Sequence, residues 1–367
     1  MKLRRAFIKA GTLSHGGLRA AGRTGTPFAR LHSGFVRRTY LITGGAGFIG
    51  SHLVEALLGR GECVVAIDNL STGRLENLAA VADHPDFRFV HGSVLDELAV
   101  DELVHQSNVV VHLAAAVGVR LIVENPLRSF ITNIRGSEIV IDAAFRHRCQ
   151  VLVTSTSEIY GKNGAMPLNE ESDQVIGPPS IARWAYSTAK AVDEVLAFAY
   201  HRERGLPTTV VRLFNTTGPR QSPGYGMVIP RLVRQAVAGD PLTVYGDGRQ
   251  ARCFCHVDDV VDGLLRLLDH PGANGEVFNV GSQEEISILG LAERIIERSA
   301  STSKVELISY KEAFPSGFED MVRRVPDTRK VNALTGWAPT RTLDDILRET
   351  IAEARDESEA LVASRRS

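Results

Sequence analysis

The sequence predicts an α/β fold, a doubly wound parallel sheet followed by a smaller C-terminal α/β lobe. Three observations carry this reading. From Thr39 onward, short apolar runs alternate with longer amphipathic ones. The short runs are apolar on both faces, as strands covered by helices on both sides must be. A glycine turn, Gly44-Gly45-Ala46-Gly47-Phe48-Ile49-Gly50, separates the first apolar run from the first helical pattern.

The elements follow in order. Tyr40-Leu41-Ile42-Thr43 reads as the first strand and residues 49–59 as the first helix. Val64-Val65-Ala66-Ile67 is the second strand. Phe87-Arg88-Phe89-Val90 and residues 109–113, 151–154 and 209–213 read as further strands, most of them separated by helical patterns. Beyond Phe214 the regularity gives way. Glycine and proline punctuate residues 218–230 and 239–248, a composition suited to loops that build a substrate lobe. The expected organisation is a basic, disordered leader over 1–38 and a dinucleotide-binding domain with the catalytic residues over 39–214. Residues 215–353 then form mainly a substrate lobe, with segments returning to the first domain, and 354–367 a charged tail.

Composition excludes several classes. The chain has 367 residues and a net charge of -1, so no global field recruits nucleic acid or anionic lipid. No apolar run approaches the roughly 18 residues of a membrane span. Four scattered cysteines, Cys63, Cys149, Cys253 and Cys255, do not form a disulfide framework, and a reducing cytoplasm is expected. Cys253 and Cys255 alternate within one short run, but no second cluster completes a metal site, so they read as core residues and no metal is expected. The leader has no acidic residue before Glu55. Arg4-Arg5-Ala6-Phe7-Ile8-Lys9 superficially resembles a twin-arginine export signal without its apolar stretch. An Arg-rich, acid-poor leader also suits an organellar transit peptide.

The glycine turn points to a dinucleotide. Gly44 permits the tight turn, Gly47 lets the backbone approach a pyrophosphate, and Gly50 lets the helix pack close to the sheet. The phosphates would then meet free N–H groups at the helix N-terminus. Asp68 ends the second strand, where a carboxylate accepts both ribose hydroxyls of NAD and repels the 2′-phosphate of NADP, although Arg74 stands nearby. Tyr186-Ser187-Thr188-Ala189-Lys190 places tyrosine and lysine one helical turn apart, on one face. A neighbouring ammonium would favour the phenolate that a base requires. The pair follows a strand ending in Thr154-Ser155-Thr156-Ser157-Glu158-Ile159-Tyr160-Gly161.

Together these motifs resemble the extended short-chain dehydrogenase/reductases that modify nucleotide sugars, over about residues 39–350. The resemblance implies a Rossmann sheet, NAD as cofactor, a nucleotide-sugar substrate, most of all a UDP-linked one, and a homodimer formed through helices over 130–146 and 182–204. It implies that Thr156 bonds the sugar 4-hydroxyl, that Tyr186 takes its proton, and that Lys190 holds the nicotinamide ribose. NAD would also be lined by Phe48, Ile49, Asn69, Ser93, Leu113, Ala114 and Ala115. Ser93 departs from the family, which carries an aspartate there against the adenine amine. Asn215 looks like the diphosphate contact, Tyr245 belongs to the nucleobase loop, Arg252 looks like the phosphate or sugar arginine, and Arg220 and Arg324 are further substrate arginines. Arg324 lies in a segment similar to the family's late nucleotide-binding loop.

Ser157-Glu158 bears on which reaction follows C4 oxidation, because a glutamate beside C5 and C6 can orient a carboxyl group or exchange a proton. Arg183-Trp184-Ala185-Tyr186-Ser187 and Gln250-Ala251-Arg252-Cys253-Phe254 are similar to UDP-glucuronate decarboxylases. Val117-Gly118-Val119-Arg120 looks more like UDP-glucuronate 4-epimerases, with Arg120 available to a C6 carboxylate in either enzyme. Decarboxylation is the leading expectation. Epimerisation at C4, 4,6-dehydration and a non-catalytic sensor are the alternatives.

Overall fold

A computed structural model describes residues 37–117, 126–179, 181, 183–313, 321 and 323–366. The leader, up to its last two residues, and Arg120 with the loop around it therefore lie outside the described residues.

The chain opens with β1 (Thr39–Thr43), α1 (Phe48–Gly59), β2 (Cys63–Asp68), β3 (Phe87–His91), α2 (Glu97–His105) and β4 (Val109–His112). Then come α3 (Pro126–His147), β5 (Gln150–Thr156), a 3-10 turn (Ser157–Tyr160), α4 (Arg183–Arg204) and β6 (Thr208–Leu213). The later part holds β7 (Thr216–Thr217), α5 (Val228–Ala238), β8 (Leu242–Tyr245), β9 (Ala251–Cys253), β10 (Cys255–His256) and α6 (Val257–Asp269). It closes with β11 (Glu276–Val280), β12 (Glu285–Ser287), α7 (Ile288–Ser299), β13 (Val305–Ile308), α8 (Tyr310–Ala313), α9 (Arg329–Thr335) and α10 (Leu343–Arg366).

Among the described residues, seven strands form one sheet in the order β11-β6-β5-β4-β1-β2-β3. All its pairings are parallel. Side chains alternate across the sheet. Tyr40 and Ile42 join the core under α1 and α6, with Leu53, Leu57, Val260 and Leu264. Leu41 faces the opposite core, under α2, α3 and α4, with Leu103, Val140 and Ala197. A third core gathers Leu232 of α5, Val244 of β8, Leu291 of α7 and Ile346 of α10. No helix among the described residues is long and apolar enough to cross a membrane.

Strand order reverses between β1 and β4, and such a crevice at the carboxyl ends of the strands is where ligands settle in open α/β sheets. Register sets what meets there. Thr43 pairs with His112 and with Ile67, and Thr156 pairs with Leu213. The glycine turn, Asp68, Leu113, Ser157 and Asn215 thus leave the sheet along one edge.

Candidate active site

The glycine turn is tight because four of its residues lack side chains. Gly44 has φ +73, and a Cβ there would stand 2.9 Å from the Ala114 backbone nitrogen. A Cβ on Gly50 would stand 2.2 Å from the Gly44 carbonyl oxygen, so only glycine lets α1 start this close to β1. Gly47 caps α1 without a side-chain bond, and the first turn, which contains Phe48 and Ile49, carries no acidic residue. The positive end of the helix is thus presented to the crevice.

Asp68 is buried at the end of β2. Its Oδ2 accepts from the Ala46 N–H at 3.1 Å, and Oδ1 accepts from the Leu70 N–H at 2.7 Å. Burial raises its pKa, and the two N–H groups oppose that. Each oxygen keeps a further lone pair for a ribose hydroxyl. Asn69 is exposed, and its Oδ1 accepts from the Ser71 N–H at 3.0 Å. Ser93 accepts from the Leu95 N–H at 3.2 Å, which leaves its O–H free to donate. The Leu113 N–H donates to the Thr43 carbonyl at 3.2 Å and the Ala114 N–H to the Thr43 hydroxyl at 3.1 Å. These bonds hold Leu113, Ala114 and half-buried Ala115 against the glycine turn.

The reacting end forms where β5 runs into the 3-10 turn. Thr156 caps that turn by accepting from the Glu158 N–H at 3.2 Å. Ser187 of α4 ties itself to the same turn, donating to the Glu158 carbonyl at 2.9 Å. Tyr186 and Lys190 project from α4, both buried, and the Tyr186 phenol is hydrogen-bonded to Thr156. Burial, then the charges of Glu158 and Asp193, push the phenol's pKa up, and the Thr156 bond opposes this. The expected help from the lysine is not realised in this arrangement. Lys190 Nζ donates to the Thr154 carbonyl at 2.9 Å and to Asp193 Oδ2 at 3.1 Å, so a carboxylate offsets its charge.

Sequence reasoning missed His112 beneath this group. Its Nδ1 lies 2.8 Å from the Thr43 hydroxyl and its Nε2 3.1 Å from the Ser137 hydroxyl. Ser137 itself donates to the Asn133 carbonyl, which places the ring proton on Nε2. Burial first, and Lys190 second, lower the pKa to about 3, so the ring is neutral.

Arg324 stands in an unexpected place. Its segment pairs backbone with the stretch after the catalytic turn: the Leu168 N–H donates to the Val325 carbonyl at 2.8 Å and the Asp327 N–H to the Leu168 carbonyl at 2.7 Å. That pairing brings the guanidinium to the catalytic turn. Arg324 Nη1 donates to Ser157 Oγ at 3.1 Å and lies 3.6 Å from Glu158 Oε1. The remaining expected substrate residues are spread wider. Asn215 donates to the Cys253 carbonyl at 2.8 Å, and buried Arg252 donates to the Ala251 carbonyl at 2.8 Å. Tyr245 lies under the Arg231 guanidinium, 4.6 Å from ring centroid to carbon. Arg220 meets other partners than expected: it pairs with Glu55 of α1 at 2.8 Å because the chain turns back there, and its N–H donates to Glu353. It lines a polar cavity of about 340 Å³ with Arg74, Arg234 and Glu357.

The chain matches the model of the NAD dependent epimerase/dehydratase family over residues 40–281. It is 39% identical to a UDP-N-acetyl-alpha-D-glucosaminuronate decarboxylase of Bacillus cytotoxicus, covering 88% of this chain and 99% of that protein. Identity to UDP-glucuronic acid decarboxylase 1 of Arabidopsis thaliana is 35%, over 94% of this chain and 75% of that one. Among solved structures, the UDP-glucose 4-epimerase of Thermotoga maritima, with UDP-glucose, superposes with a TM-score of 0.79 at 29% identity, covering 87% of this chain and 99% of that chain.

Proposed function

Because the chain belongs to the NAD dependent epimerase/dehydratase family, we propose that it oxidises C4 of a UDP-linked uronate and lets the resulting ketone lose its C6 carboxylate, converting UDP-glucuronate to UDP-xylose. One observation carries the choice of reaction. A buried cation, Arg324, lies against Ser157 and Glu158, whose charge in turn reaches the Tyr186 phenol. A carboxylate on C6 would find a guanidinium and a hydroxyl beside the centre that is oxidised.

The turn from Gly44 to Gly50 fits a pyrophosphate, since Gly47 opens the helix with no side chain at its N-terminus, and Asp68 fits the adenosine ribose. When bound there, NAD supplies the acceptor and later the donor of the C4 hydride. Thr156 and Tyr186 address the C4 hydroxyl, and Tyr186 takes its proton at the phenolic oxygen. The C4 ketone stands β to the C6 carboxylate. The C5–C6 bond therefore breaks with its electron pair passing to C5 and onto the C4 oxygen, and carbon dioxide leaves. Glu158, one residue after Ser157, would deliver a proton to C5. Lys190 holds the nicotinamide ribose with its remaining donor. The lobe of α5, α7 and α10, with Asn215, Tyr245 and Arg252 at its border, would hold the nucleotide.

The 2-acetamido uronate is a second candidate substrate, favoured by the identity to the Bacillus cytotoxicus enzyme. The test is incubation with NAD and UDP-glucuronate, UDP-N-acetylglucosaminuronate or UDP-glucose, followed by mass analysis of the nucleotide sugar. Loss of carbon dioxide from a uronate is the expected outcome. Loss of water would mean dehydration, unchanged mass with a new sugar epimerisation, and NAD binding without turnover a sensor; each would overturn the proposal.

We infer a homodimer as well. Helices α3 and α4 pack side by side and leave Leu127, Ile131, Val192 and Val195 exposed, an apolar face suited to a four-helix bundle with a second copy. Val195→Arg should yield a monomer by light scattering. Four free thiols suit a cytoplasmic setting.

A further inference from the structure

Lys190 owes its surroundings to a residue that the reaction above does not use. Lys190 and Asp193 lie three residues apart on α4, with side chains 2% and 1% exposed, and Nζ is 3.1 Å from Oδ2. Glu194 stands next to Asp193 in sequence but does not compete for the lysine. Arg212 of β6 takes both of its oxygens, at 2.9 and 2.8 Å. The fold thus sorts two adjacent acids into two separate pairs, and Lys190 is the cation of Asp193. Burial pushes the Asp193 carboxyl's pKa up, and the neighbouring lysine opposes this. With Thr154 and Asp193 taking two of its three donors, Lys190 has one left for a ligand.

We propose that Asp193 is a positioning residue for C4 oxidation, holding Lys190 toward the end of β5 while offsetting the positive charge that Tyr186 would otherwise feel. This rests on Tyr186 being the base. The other groups around the pair are identified. Glu158 faces Tyr186 from the 3-10 turn, with Arg324 beside it, and the Thr156 hydroxyl bonds the phenol. From β4, His112 is neutral, and Ser137 of α3 is bonded to it. Asp193 is the carboxylate among these that contacts Lys190.

Asp193→Asn keeps a hydrogen-bond acceptor for Lys190 and removes the negative charge. The lysine's charge then acts on Tyr186 with less opposition, so the acid limb of the pH–rate profile moves to lower pH by about one unit. The measurement is the rate of cofactor reduction, followed by ultraviolet absorbance, with NAD and UDP-glucuronate across a pH series. A residue that served stability alone would lower the rate at every pH and leave the limb where it is. Asp193→Glu retains the charge on a longer arm, so its limb stays at the wild-type position while oxidation slows. A wild-type limb in Asp193→Asn, with Tyr186→Phe inactive, overturns the role of Asp193 but leaves the base assignment standing. Oxidation retained by Tyr186→Phe overturns both. Should Asp193→Asn not fold, Asp193→Ser, which also removes the charge, decides: a limb moved to lower pH supports the proposal, and a limb at the wild-type position overturns it.

Discussion

Replacing Arg324 by methionine tests the proposed reaction at its most specific point. Methionine keeps much of the side-chain volume and removes the charge. The guanidinium is 5% exposed, 3.1 Å from Ser157 Oγ and 3.6 Å from Glu158 Oε1, so a substrate carboxylate there would be bonded with little water to compete. A hydrogen bond to a charged group in such a setting contributes roughly 1.5–3 kcal/mol. At about 1.4 kcal/mol per tenfold, kcat/KM for UDP-glucuronate should fall about 10- to 150-fold. Affinity for UDP alone, measured by calorimetry, should stay within about twofold, because the charge serves the sugar carboxylate. Arg324→Lys should recover part of the loss, since it restores the charge without the fork. If UDP binding weakens as much as turnover of UDP-glucuronate does, Arg324 is a nucleotide contact, as its sequence segment first implied, and the placement of the C6 carboxylate is wrong.

Glu158→Gln should slow carbon dioxide release about 100-fold while cofactor reduction falls much less; equal losses in a stopped-flow comparison would remove its special part in the C6 step. Gly50→Ala puts a Cβ 2.2 Å from the Gly44 carbonyl oxygen and 2.9 Å from Gly45 Cα, both backbone, so α1 must retreat. NAD affinity should drop tenfold or more by titration, roughly the loss of one charged hydrogen bond, and unchanged affinity would show that the turn does not hold the cofactor. His112 stays neutral down to about 3, whereas in the unfolded chain it takes up a proton below about 6.5. Stability should therefore fall as pH drops through that window, by about 1.4 kcal/mol per unit from this group. His112→Asn should flatten the melting temperature against pH there, and parallel curves for the two proteins would refute the account.

The parts of the site that could be read in the sequence are those built from local spacing. The glycine turn between a strand and a helix, Asp68 at the end of the next strand, and Tyr186 one turn before Lys190 all depend on residues close together in the chain. The parts that could not be read depend on pairing across long separations. Arg324 reaches Glu158 only because Val325 and Asp327 share backbone bonds with Leu168. Nothing local says that of two adjacent acids Asp193 takes Lys190 and Glu194 takes Arg212, or that Arg220 meets Glu55. The seventh strand was hidden for a similar reason. Glu276-Val277-Phe278-Asn279-Val280 is interrupted by polar residues, and Asn279 can be buried because distant groups meet its amide: the Tyr160 hydroxyl donates to its Oδ1 at 2.7 Å, and its Nδ2 donates to the Leu168 and Asp327 carbonyls at 2.9 and 3.3 Å.

That seventh strand has a consequence for any fragment of the protein. β11 is made late in the chain, yet it covers the outer side of β6, with Glu276 to Val280 in register with Thr209 to Leu213. A polypeptide released or cut soon after β6 would carry every glycine of the dinucleotide turn and both Tyr186 and Lys190. It would also present the unpaired backbone of β6 as a template for strand addition, with an apolar Val210-Val211 segment at its centre. The halves of this molecule are therefore not interchangeable modules. Synthesis must run through Val280 before the sheet is sealed, and until then the outer edge of β6 has no strand from this chain to pair with.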